Sequence, residues 1–314
     1  MLIEIKEKNF TDIIKNIDDS NLNYKTISNT LIALIGSKTE KNMFLNKFNL
    51  NDSKIEDFLY SRDFKLNDTI INVGNSSFGS DKVIIAGPCA IESKNQLYKT
   101  ANYVKKFGVD IIRGGAYKPR TSPYSFQGLK DDGLKIFNDV KKTLNLNIVT
   151  ESISESKVDL VSKYSDIVQV GSRNGQNYGL LKKVGDQNKP ILLKRGMHMS
   201  VKEFLLSAEY ILLEGNSNVI LCERGIRINP RTEEVEPDFE GICELKKKTH
   251  LPIIFDPSHS TQDRDKVIEA SIKALNSGAD GLIVEVHPDP ENALCDGNQS
   301  LTFDLFKKLM KKIN

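Results

Sequence analysis

The feature that most constrains this chain is a regular alternation of two kinds of segment from about Lys82 to the C-terminus. Short apolar runs, rich in β-branched residues and ending in polar or glycine residues, are too short for helices and are typical of buried strands. The runs are at 83–87, 110–115, 147–151, 167–172, 190–194, 218–223, 252–256 and 281–286. Eight such runs, separated by amphipathic stretches, predict an α/β fold, a (β/α)8 TIM barrel. A doubly wound open sheet shows the same alternation and is the alternative.

The stretches between the runs carry helix signals. "KNQLYKTANYVKKFG", "SVKEFLLSAEYILLEG" and "RDKVIEASIKALNSG" place apolar residues at helical spacing, and each stops at a glycine. A glycine directly after the last turn is a common helix terminator, because it adopts the left-handed backbone conformation without a steric penalty. We therefore expect amphipathic helices to follow the strands and to surround them.

Residues 1–65 show a different order of elements. "MLIEIK" predicts a strand and "FTDIIKNIDDS" a helix. "NYKTISNTLIALIGS" predicts two strands with a turn near Ser28, "EKNMFLNKF" a helix, and "IEDFLYSR" (55–62) a last strand. The order βαββαβ is that of a ferredoxin-like domain. Residues 66–81 are polar and predict a linker with a short hairpin, which leaves residues 82–314 for the barrel.

Composition excludes several classes of function. The formal net charge is only +2 over 314 residues, so the chain lacks the strong positive charge that would indicate a nucleic-acid partner. No apolar stretch reaches the roughly 18 residues that a membrane span needs, and the start "MLIEIKEKNF" lacks the pattern of a signal peptide. The four cysteines stand singly, without a CxxC pair, which favours a reducing, cytoplasmic setting.

Cations follow several of the predicted strands. In a barrel of this kind the chemistry lies at the C-terminal ends of the strands, so these side chains should meet at one mouth. They are Arg113, Lys118, Arg120, Arg173, Lys194 and Arg224. Because so many like charges are costly to desolvate, they predict anionic ligands, such as two phosphates and a carboxylate. Salt bridges to barrel carboxylates are the alternative for any single arginine.

A second set of strand-end residues mixes donor types that bind transition metals. Cys89, His259, Glu285 and Asp296 follow the first, seventh and eighth runs, and the first and eighth strands are neighbours in a closed barrel. A thiolate, an imidazole and two carboxylates could hold manganese, iron, cobalt or zinc. The alternative is a buried apolar cysteine beside ordinary polar residues. Cys295 should lie near Cys89 without being a ligand, and the metal-free protein could then form a Cys89–Cys295 disulfide.

The longest motifs resemble a known family. "AGPCAIES", "RGGAYKPRTSPYSFQGL", "LLKRGM", "ILCERGIR", "DPSHS" and "EVHPDPENALCDGNQSL" are similar to those of 3-deoxy-D-arabino-heptulosonate 7-phosphate (DAHP) synthases, over about Lys82 to the C-terminus. The likeness is strongest to the branch with a short ferredoxin-like N-terminal domain. The resemblance implies a barrel enzyme with a divalent metal ion. It would condense phosphoenolpyruvate with erythrose 4-phosphate, the first step of the shikimate pathway to chorismate and the aromatic amino acids.

The resemblance also implies residue roles. Cys89, His259, Glu285 and Asp296 fall on metal ligands, and Arg113, Arg173, Lys194 and Arg224 fall on residues that bind phosphoenolpyruvate. Lys118, Arg120, Thr121 and Ser122 fall on the "KPRTS" loop, which holds erythrose 4-phosphate. In the implied reaction C3 of phosphoenolpyruvate attacks the aldehyde carbon, water adds at C2, and phosphate leaves by C–O cleavage. Lys118, His259 and a metal-bound water remain open as the proton donor, and Glu151 and Asp256 are expected to orient the groups around them.

Two other functions stay open. One is 3-deoxy-octulosonate 8-phosphate synthase, a relative that uses arabinose 5-phosphate, although "KPRTSP" favours the four-carbon sugar over the "KANR"-type loop of that enzyme. The other is an inactive binding or regulatory module. For the N-terminal domain, the resemblance implies tyrosine or phenylalanine as a feedback inhibitor, with the domain docking over the barrel mouth. A stabilising or oligomer-forming domain is the alternative, and we expect a homo-oligomer, a tetramer or a dimer.

Overall fold

The N-terminal segment forms a four-stranded antiparallel sheet with two helices. The computed structural model describes residues 1–18, 22–55, 58–229, 231–232 and 234–313. The elements up to residue 78 are β1 (Leu2–Glu4), α1 (Phe10–Asp18), β2 (Asn23–Ser28), β3 (Leu31–Ile35), α2 (Lys38–Lys47), β4 (Lys54–Ile55), β5 (Ile71–Val73) and β6 (Ser76–Phe78). The order of the sheet is β2-β3-β1-β4, and neighbouring strands are antiparallel. The last two residues of the helix predicted from "FTDIIKNIDDS" lie outside the described residues.

The rest of the chain alternates strands and helices. The strands are β7 (Val83–Gly87), β8 (Ile111–Arg113), β9 (Asn147–Glu151), β10 (Ile167–Val170), β11 (Ile191–Lys194), β12 (Val219–Glu223), β13 (Ile253–Phe255) and β14 (Gly281–Glu285). The helices are α3 (Lys94–Lys105), α4 (Lys130–Leu144), α5 (Val158–Tyr164), α6 (Tyr178–Gly185), α7 (Val201–Leu213), α8 (Phe239–Lys248), α9 (Pro257–Thr261), α10 (Arg264–Asn276) and α11 (Phe303–Ile313). Within the described residues, no helix combines the length and the apolar character that crossing a membrane requires.

The eight strands close into a barrel, which confirms the predicted (β/α)8 barrel and excludes the open sheet. All neighbouring pairs are parallel, and each strand lies beside its neighbours in sequence. Closure comes from the pairing of the last strand with the first, in which Gly281 pairs with Val83 and Glu285 with Gly87. Because the strands are parallel, their C-terminal residues all reach the same end of the barrel, and this end is the mouth.

Side chains along each barrel strand alternate between two apolar layers. In β14, Ile283 belongs to the apolar cluster inside the barrel, whereas Leu282 and Val284 belong to the cluster between strands and helices. Nearly every strand position is therefore used for packing. Polar side chains are left for the strand ends, where Glu285 terminates β14.

The hairpin β5–β6 fills the end of the barrel opposite the mouth. Its strands pair antiparallel, with Ile71 opposite Phe78. Ile71, Val73 and Phe78 belong to the same apolar cluster as the barrel interior, while Asn72 between them is exposed. The alternation that buries every second residue thus turns a mostly polar segment into the base of the barrel.

The N-terminal sheet is buried on both faces. Ile3 and Ile32, which are paired across β1 and β3, pack with α1 and α2 in a core of their own. Leu2 and Ala33, the next pair, belong to the main cluster of the barrel. The strand period of two therefore sends alternate residues of "LIALI" into two different cores, and this ties the small sheet to the barrel.

The strand predicted over 55–62 is present only in part among the described residues. Ile55 ends β4, whereas Leu59 and Tyr60 lie in a turn and donate their backbone N–H groups to the Glu209 carboxylate, at 3.0 and 3.1 Å. Because a buried side chain of α7 accepts these N–H groups, they are hydrogen-bonded without a neighbouring strand. The sheet also contacts the barrel at α7, since Lys25 is paired with Glu214, directly after the last residue of this helix.

Candidate active site

Most of the predicted site residues line one pocket at the mouth of the barrel, whereas Cys89 and Glu285 are buried and are not among its lining residues. The pocket has a volume of about 220 Å³. Its lining includes Arg113, Lys118, Arg120, Thr121, Arg173, Lys194, Arg224, His259 and Asp296, together with Glu151, Gln169, Arg227, Gln262 and Gln299. Ser122 is not among the lining residues that the structure describes. It is exposed in the outer turn of its loop, where its hydroxyl accepts the N–H of Tyr124 at 3.3 Å.

Three of the cations are buried at the strand ends. Arg113, Lys194 and Arg224 are 4%, 4% and 6% exposed. Lys194 is paired with Asp256, whose Oδ2 lies 2.5 Å from the ammonium nitrogen. In contrast, Nε and Nη1 of Arg113 and Nη1 of Arg224 have no hydrogen-bond partner within the described part of the chain. Because a buried donor without a partner is costly, these guanidinium groups indicate a site that is completed by an anion.

The electrostatics of Arg224 support this interpretation. Burial lowers the pKa of its guanidinium group below the usual value, and the nearby positive charge of Arg173 acts in the same direction. The carboxylate of Glu223 holds the backbone in place, since its Oε1 accepts the N–H groups of Arg224 and Gly225 at 2.9 and 2.8 Å. The charged form of Arg224 is therefore held in an unfavourable position that a phosphate would relieve.

The four predicted metal ligands form one cluster. One donor atom from each of Cys89, His259, Glu285 and Asp296 lies within 4.8 Å of the other three. Cys89 Sγ is 3.0 Å from Asp296 Oδ2, and His259 Nε2 is 3.4 Å from Glu285 Oε1. Glu285 Oε1 lacks a hydrogen-bond partner among the described residues, although Arg113 Nη1 is 3.1 Å away in an unfavourable alignment. One sulfur, one imidazole and two carboxylates, with an unused buried oxygen, fit a divalent transition metal ion.

The neighbours of the cluster fix its side chains. His259 Nδ1 lies 2.7 Å from Asp256 Oδ2, so the other ring nitrogen, Nε2, faces Glu285. Burial opposes charge on Asp256 and Asp296, but the groups around them prevail: His259 and Lys194 hold the pKa of Asp256 well below its usual value. His259, the Cys89 contact, Lys118 and Arg120 lower the pKa of Asp296 to about 2. Both carboxylates therefore stay ionised at neutral pH.

The loop that carries "KPRTS" is closed at its ends and directed into the pocket. Gly128, at φ +86°, packs so tightly against the Ala116 carbonyl that a Cβ would lie 2.2 Å from its oxygen. Lys118 Nζ lies 3.0 Å from Cys89 Sγ. Burial opposes its charge, but negative charge nearby, chiefly on the sulfurs of Cys89 and Cys295, holds its pKa above the usual value. Arg120 contacts the Cys295 thiol, and its Nη1 is 3.7 Å from Asp296 Oδ1.

Sequence reasoning missed part of the pocket. Arg227 lines it, and its Nε has no hydrogen-bond partner in the described structure, so it is a further candidate for binding an anion. Its signal was the second arginine of "ERGIR". Gln169 donates to Glu151 at 3.2 Å and Gln299 to Glu285 at 2.8 Å, so the two glutamines orient carboxylates of the site. Glutamines that follow no strand end, or that lie inside a strand, carry no such signal in the sequence.

The expected neighbour of Cys89 is present, and it leads to a prediction. Cys295 Sγ lies 3.2 Å from Cys89 Sγ, so a closure of roughly 1 Å would bring the two sulfurs to disulfide distance. Metal-free protein treated with a mild oxidant should lose two of its four free thiols, as counted in denaturant. Bound metal should prevent the loss. A Cys295→Ser variant that loses as many thiols as the unaltered protein would show that the pair is not responsible.

The closed parallel barrel and the cation-rich pocket at its mouth define a (β/α)8 enzyme that acts on anionic substrates. Within that class, the chain belongs to the DAHP synthetase I family, whose family model matches residues 65–314. It is 49% identical over 256 residues to the phospho-2-dehydro-3-deoxyheptonate aldolase of Thermotoga maritima, a match that spans 81% of this chain and 76% of that protein. It is 30% identical over 263 residues to the 2-dehydro-3-deoxyphosphooctonate aldolase of Geobacter sulfurreducens, spanning 77% of this chain and 96% of the relative.

Solved structures agree with the sequence relatives. The crystal structure of the Thermotoga maritima phospho-2-dehydro-3-deoxyheptonate aldolase (DAHP synthase) matches with a TM-score of 0.79 and 41% identity, and covers 99% of this chain and 95% of that one. A truncated form of the 3-deoxy-D-arabino-heptulosonate 7-phosphate synthase from the same organism matches with a TM-score of 0.75 and 46% identity, over 81% of this chain and 94% of that one. The first match therefore extends over the N-terminal segment as well as the barrel.

Proposed function

We propose that this protein is a DAHP synthase, which condenses phosphoenolpyruvate with erythrose 4-phosphate and water to give DAHP and phosphate. This reaction is the first step of the shikimate pathway, on the route to the aromatic amino acids. The observation that carries the proposal is the 49% identical relative named as the heptonate aldolase, against about 30% for the octonate aldolase. The pocket supports it, because it offers more buried cations than one anionic group needs.

Four residues, Cys89, His259, Glu285 and Asp296, would hold the divalent metal ion of the proposed enzyme. Their donor atoms lie close together and differ in type, which suits manganese, iron, cobalt or zinc. When bound there, the ion would supply Lewis acidity for the aldehyde oxygen of the sugar. His259 presents Nε2 to the cluster because Asp256 accepts from its other ring nitrogen.

The cations divide between the two substrates. Arg113, Arg173, Lys194 and Arg224 are proposed to bind phosphoenolpyruvate. Their charges suit one phosphate and one carboxylate, and Arg113 and Arg224 have donors that no described residue satisfies. The residues of the "KPRTS" loop, Lys118, Arg120, Thr121 and Ser122, are proposed to hold erythrose 4-phosphate. A loop closed at both ends has little conformational entropy to lose when a substrate binds.

Lys118 and His259 are the proposed catalytic residues. As C3 of phosphoenolpyruvate forms the bond to the aldehyde carbon, the former carbonyl oxygen gains negative charge and must be stabilised or protonated. Lys118 is kept as an ammonium group beside the thiols, so it can donate a hydrogen bond or a proton to that oxygen. Water then adds to C2, and the C2–O bond breaks to release phosphate. His259 is the second group placed to move a proton.

One assay tests substrate, metal and reaction together. Phosphate release from phosphoenolpyruvate should occur with erythrose 4-phosphate, be lost with EDTA and return with manganese. Release with arabinose 5-phosphate alone would keep the barrel chemistry and assign the octulosonate reaction instead. No release from metal-replete protein with either sugar would favour an inactive binding module.

Arg120 provides a separate prediction for the sugar side of the pocket. Arg120→Ala should raise the Michaelis constant for erythrose 4-phosphate by about 30-fold or more, since a charged hydrogen bond to phosphate is worth about 2 kcal/mol or more. The constant for phosphoenolpyruvate should change little. Tyr124→Ala is the matched control, because this residue of the same loop is 97% exposed. An effect confined to phosphoenolpyruvate would reverse the assignment.

For the N-terminal part, we propose a ferredoxin-like domain over residues 1–65, a connection with a hairpin over 66–81, and the barrel over 82–314. The strand order β2-β3-β1-β4 with antiparallel neighbours supports the ferredoxin-like assignment, and the family match that begins at residue 65 supports the boundary. We propose that the domain binds tyrosine or phenylalanine and inhibits the barrel. We also propose a cytoplasmic location, because a cysteine ligand must stay reduced. The proposed assembly is a homo-oligomer, a dimer or tetramer.

Deletion of residues 1–57 tests the regulatory proposal. It keeps Leu59 and Tyr60, whose N–H groups satisfy Glu209, so the barrel retains these contacts. The truncated protein should keep its turnover and lose any inhibition by tyrosine or phenylalanine. A full-length enzyme that ignores both amino acids would leave the domain with a stabilising or oligomer-forming role, which its apolar contact with the barrel also suits.

A further inference from the structure

The long loop that follows β14 is fastened by a carboxylate from another loop. The chain leaves the barrel after Val286 and returns at Leu301, which bridges to Val286. Between these points it carries Cys295 and Asp296. Glu92, in "AGPCAIES", reaches this loop from the segment after β7: its Oε1 accepts the backbone N–H of Leu294 at 2.9 Å.

The second oxygen of Glu92 is also used. His287 Nε2 lies 3.3 Å from Glu92 Oε2, and His287 Nδ1 accepts the N–H of Asp289 at 3.1 Å. Because Nδ1 accepts, the ring proton is on Nε2, and it is donated to the carboxylate. The side chains of Glu92 and His287 are only 11% and 6% exposed. His287 follows a strand end like the predicted ligands, but the structure places it in this contact and not in the metal cluster.

The position of Glu92 relates two of the proposed metal ligands. It follows Cys89 by three residues, and the amide that it binds precedes Asp296 by two. Arg264 holds the other side of Asp296, since it donates to the carbonyl of Gly297 at 2.8 Å. Asp296 itself has a left-handed backbone, with φ +53°, which a residue other than glycine adopts at a cost of about 1–3 kcal/mol. Such a conformation persists only when its surroundings impose it.

We infer that Glu92 is a positioning residue that sets the distance between the Cys89 thiol and the Asp296 carboxylate for metal binding. The inference rests on the proposed function, because it takes the four-residue cluster as the metal site. Glu92 itself is not a ligand. Its two hydrogen bonds hold the loop that presents Asp296 against the loop that presents Cys89, and the separation of 3.0 Å between these two donors follows from that fixation.

Cobalt binding tests this without relying on turnover. Full-length protein, stripped of metal and kept reduced, is titrated with Co²⁺ while the thiolate-to-cobalt charge-transfer absorption is followed. Glu92→Ala should bind Co²⁺ about 10–100-fold more weakly, the usual effect of removing a group that orients a ligand. Glu92→Gln should fall between Glu92→Ala and the unaltered protein, because its amide oxygen still accepts from Leu294 while its NH2 group cannot accept from His287.

Glu291→Ala is the matched control. Glu291 carries the same charge on the same loop, its side chain is 75% exposed, and its partner Arg264 keeps the bonds to the loop carbonyls when Glu291 is removed. Its Co²⁺ affinity should equal that of the unaltered protein. Equal affinities for Glu92→Ala and the unaltered protein would overturn the inference, as would a Glu92→Gln or Glu291→Ala variant as weak as Glu92→Ala. An unaltered protein without the thiolate band would instead refute the proposed metal site itself, and the inference with it.

Discussion

Cys89→Ala should lower turnover by about a thousandfold or more while the protein stays folded. The thiol is one of four donors that lie within 4.8 Å of one another, and the three that remain are a poor site for a transition metal ion. Metal catalysis is worth several kcal/mol, and each 1.4 kcal/mol is a factor of about ten in rate. Removing one sulfur from a buried position should cost roughly 1 kcal/mol of stability, which is a fall of a few degrees in Tm.

The measurement is phosphate release at saturating manganese, with circular dichroism as the check on folding. Cys295→Ala is the matched control, because this thiol is also buried and lies 3.2 Å away but is outside the four-residue cluster. It should keep most of the turnover. Substantial activity in Cys89→Ala combined with loss in Cys295→Ala would show that the two cysteines have exchanged the roles proposed for them.

Arg224→Ala should raise the Michaelis constant for phosphoenolpyruvate about 100-fold or more and yet make the ligand-free protein more stable. Truncating one partner of a buried charged hydrogen bond costs about 2–5 kcal/mol of binding, which is roughly 30-fold to several thousand-fold. In the absence of substrate, the same substitution should increase the free energy of unfolding. Burial and the charge of Arg173 disfavour the ionised Arg224, as its lowered pKa shows, and Nη1 has no partner among the described residues. Removing the guanidinium group removes that penalty.

Thermal unfolding with and without inorganic phosphate separates the two effects. The Tm of Arg224→Ala should exceed that of the unaltered protein in phosphate-free buffer, and phosphate should raise it by less, because a ligand stabilises only what binds it. Arg231→Ala, which removes an exposed arginine beyond the same strand, should change neither quantity. An unchanged Tm and an unchanged phosphate effect would mean that Arg224 is already neutralised within the protein.

Elements with a regular spacing of apolar residues could be predicted from the sequence. Segments held by single contacts between residues far apart in the chain could not. The eight barrel strands came from short apolar runs, and the closed barrel then placed Cys89 and Asp296 together. The strand predicted over 55–62 does not include Leu59 and Tyr60, because Glu209, about 150 residues away, accepts their N–H groups. Nothing local in "IEDFLYSR" indicates that partner.

The site shows the same division. The last residues of strands, such as Arg113 and Glu285, could be recognised by position, because all strand ends lie at the mouth. Arg227 lies further along its loop, and Glu92 acts through a backbone amide in a loop that begins about 195 residues later. Their roles depend on the distance between two loops in the folded protein, and that distance cannot be read from a single sequence.

The hairpin at the base of the barrel has a consequence for how the chain is made on the ribosome. Phe78 is synthesised early, yet the apolar cluster that buries it includes Ile254 and Ile283, which emerge roughly 200 residues later. At about 5–20 residues per second, this delay is on the order of 10–40 seconds. During that time the apolar side of the hairpin has no completed barrel to cover it. Closure is therefore a late event, and the nascent chain should be a substrate for chaperones until β14 has emerged.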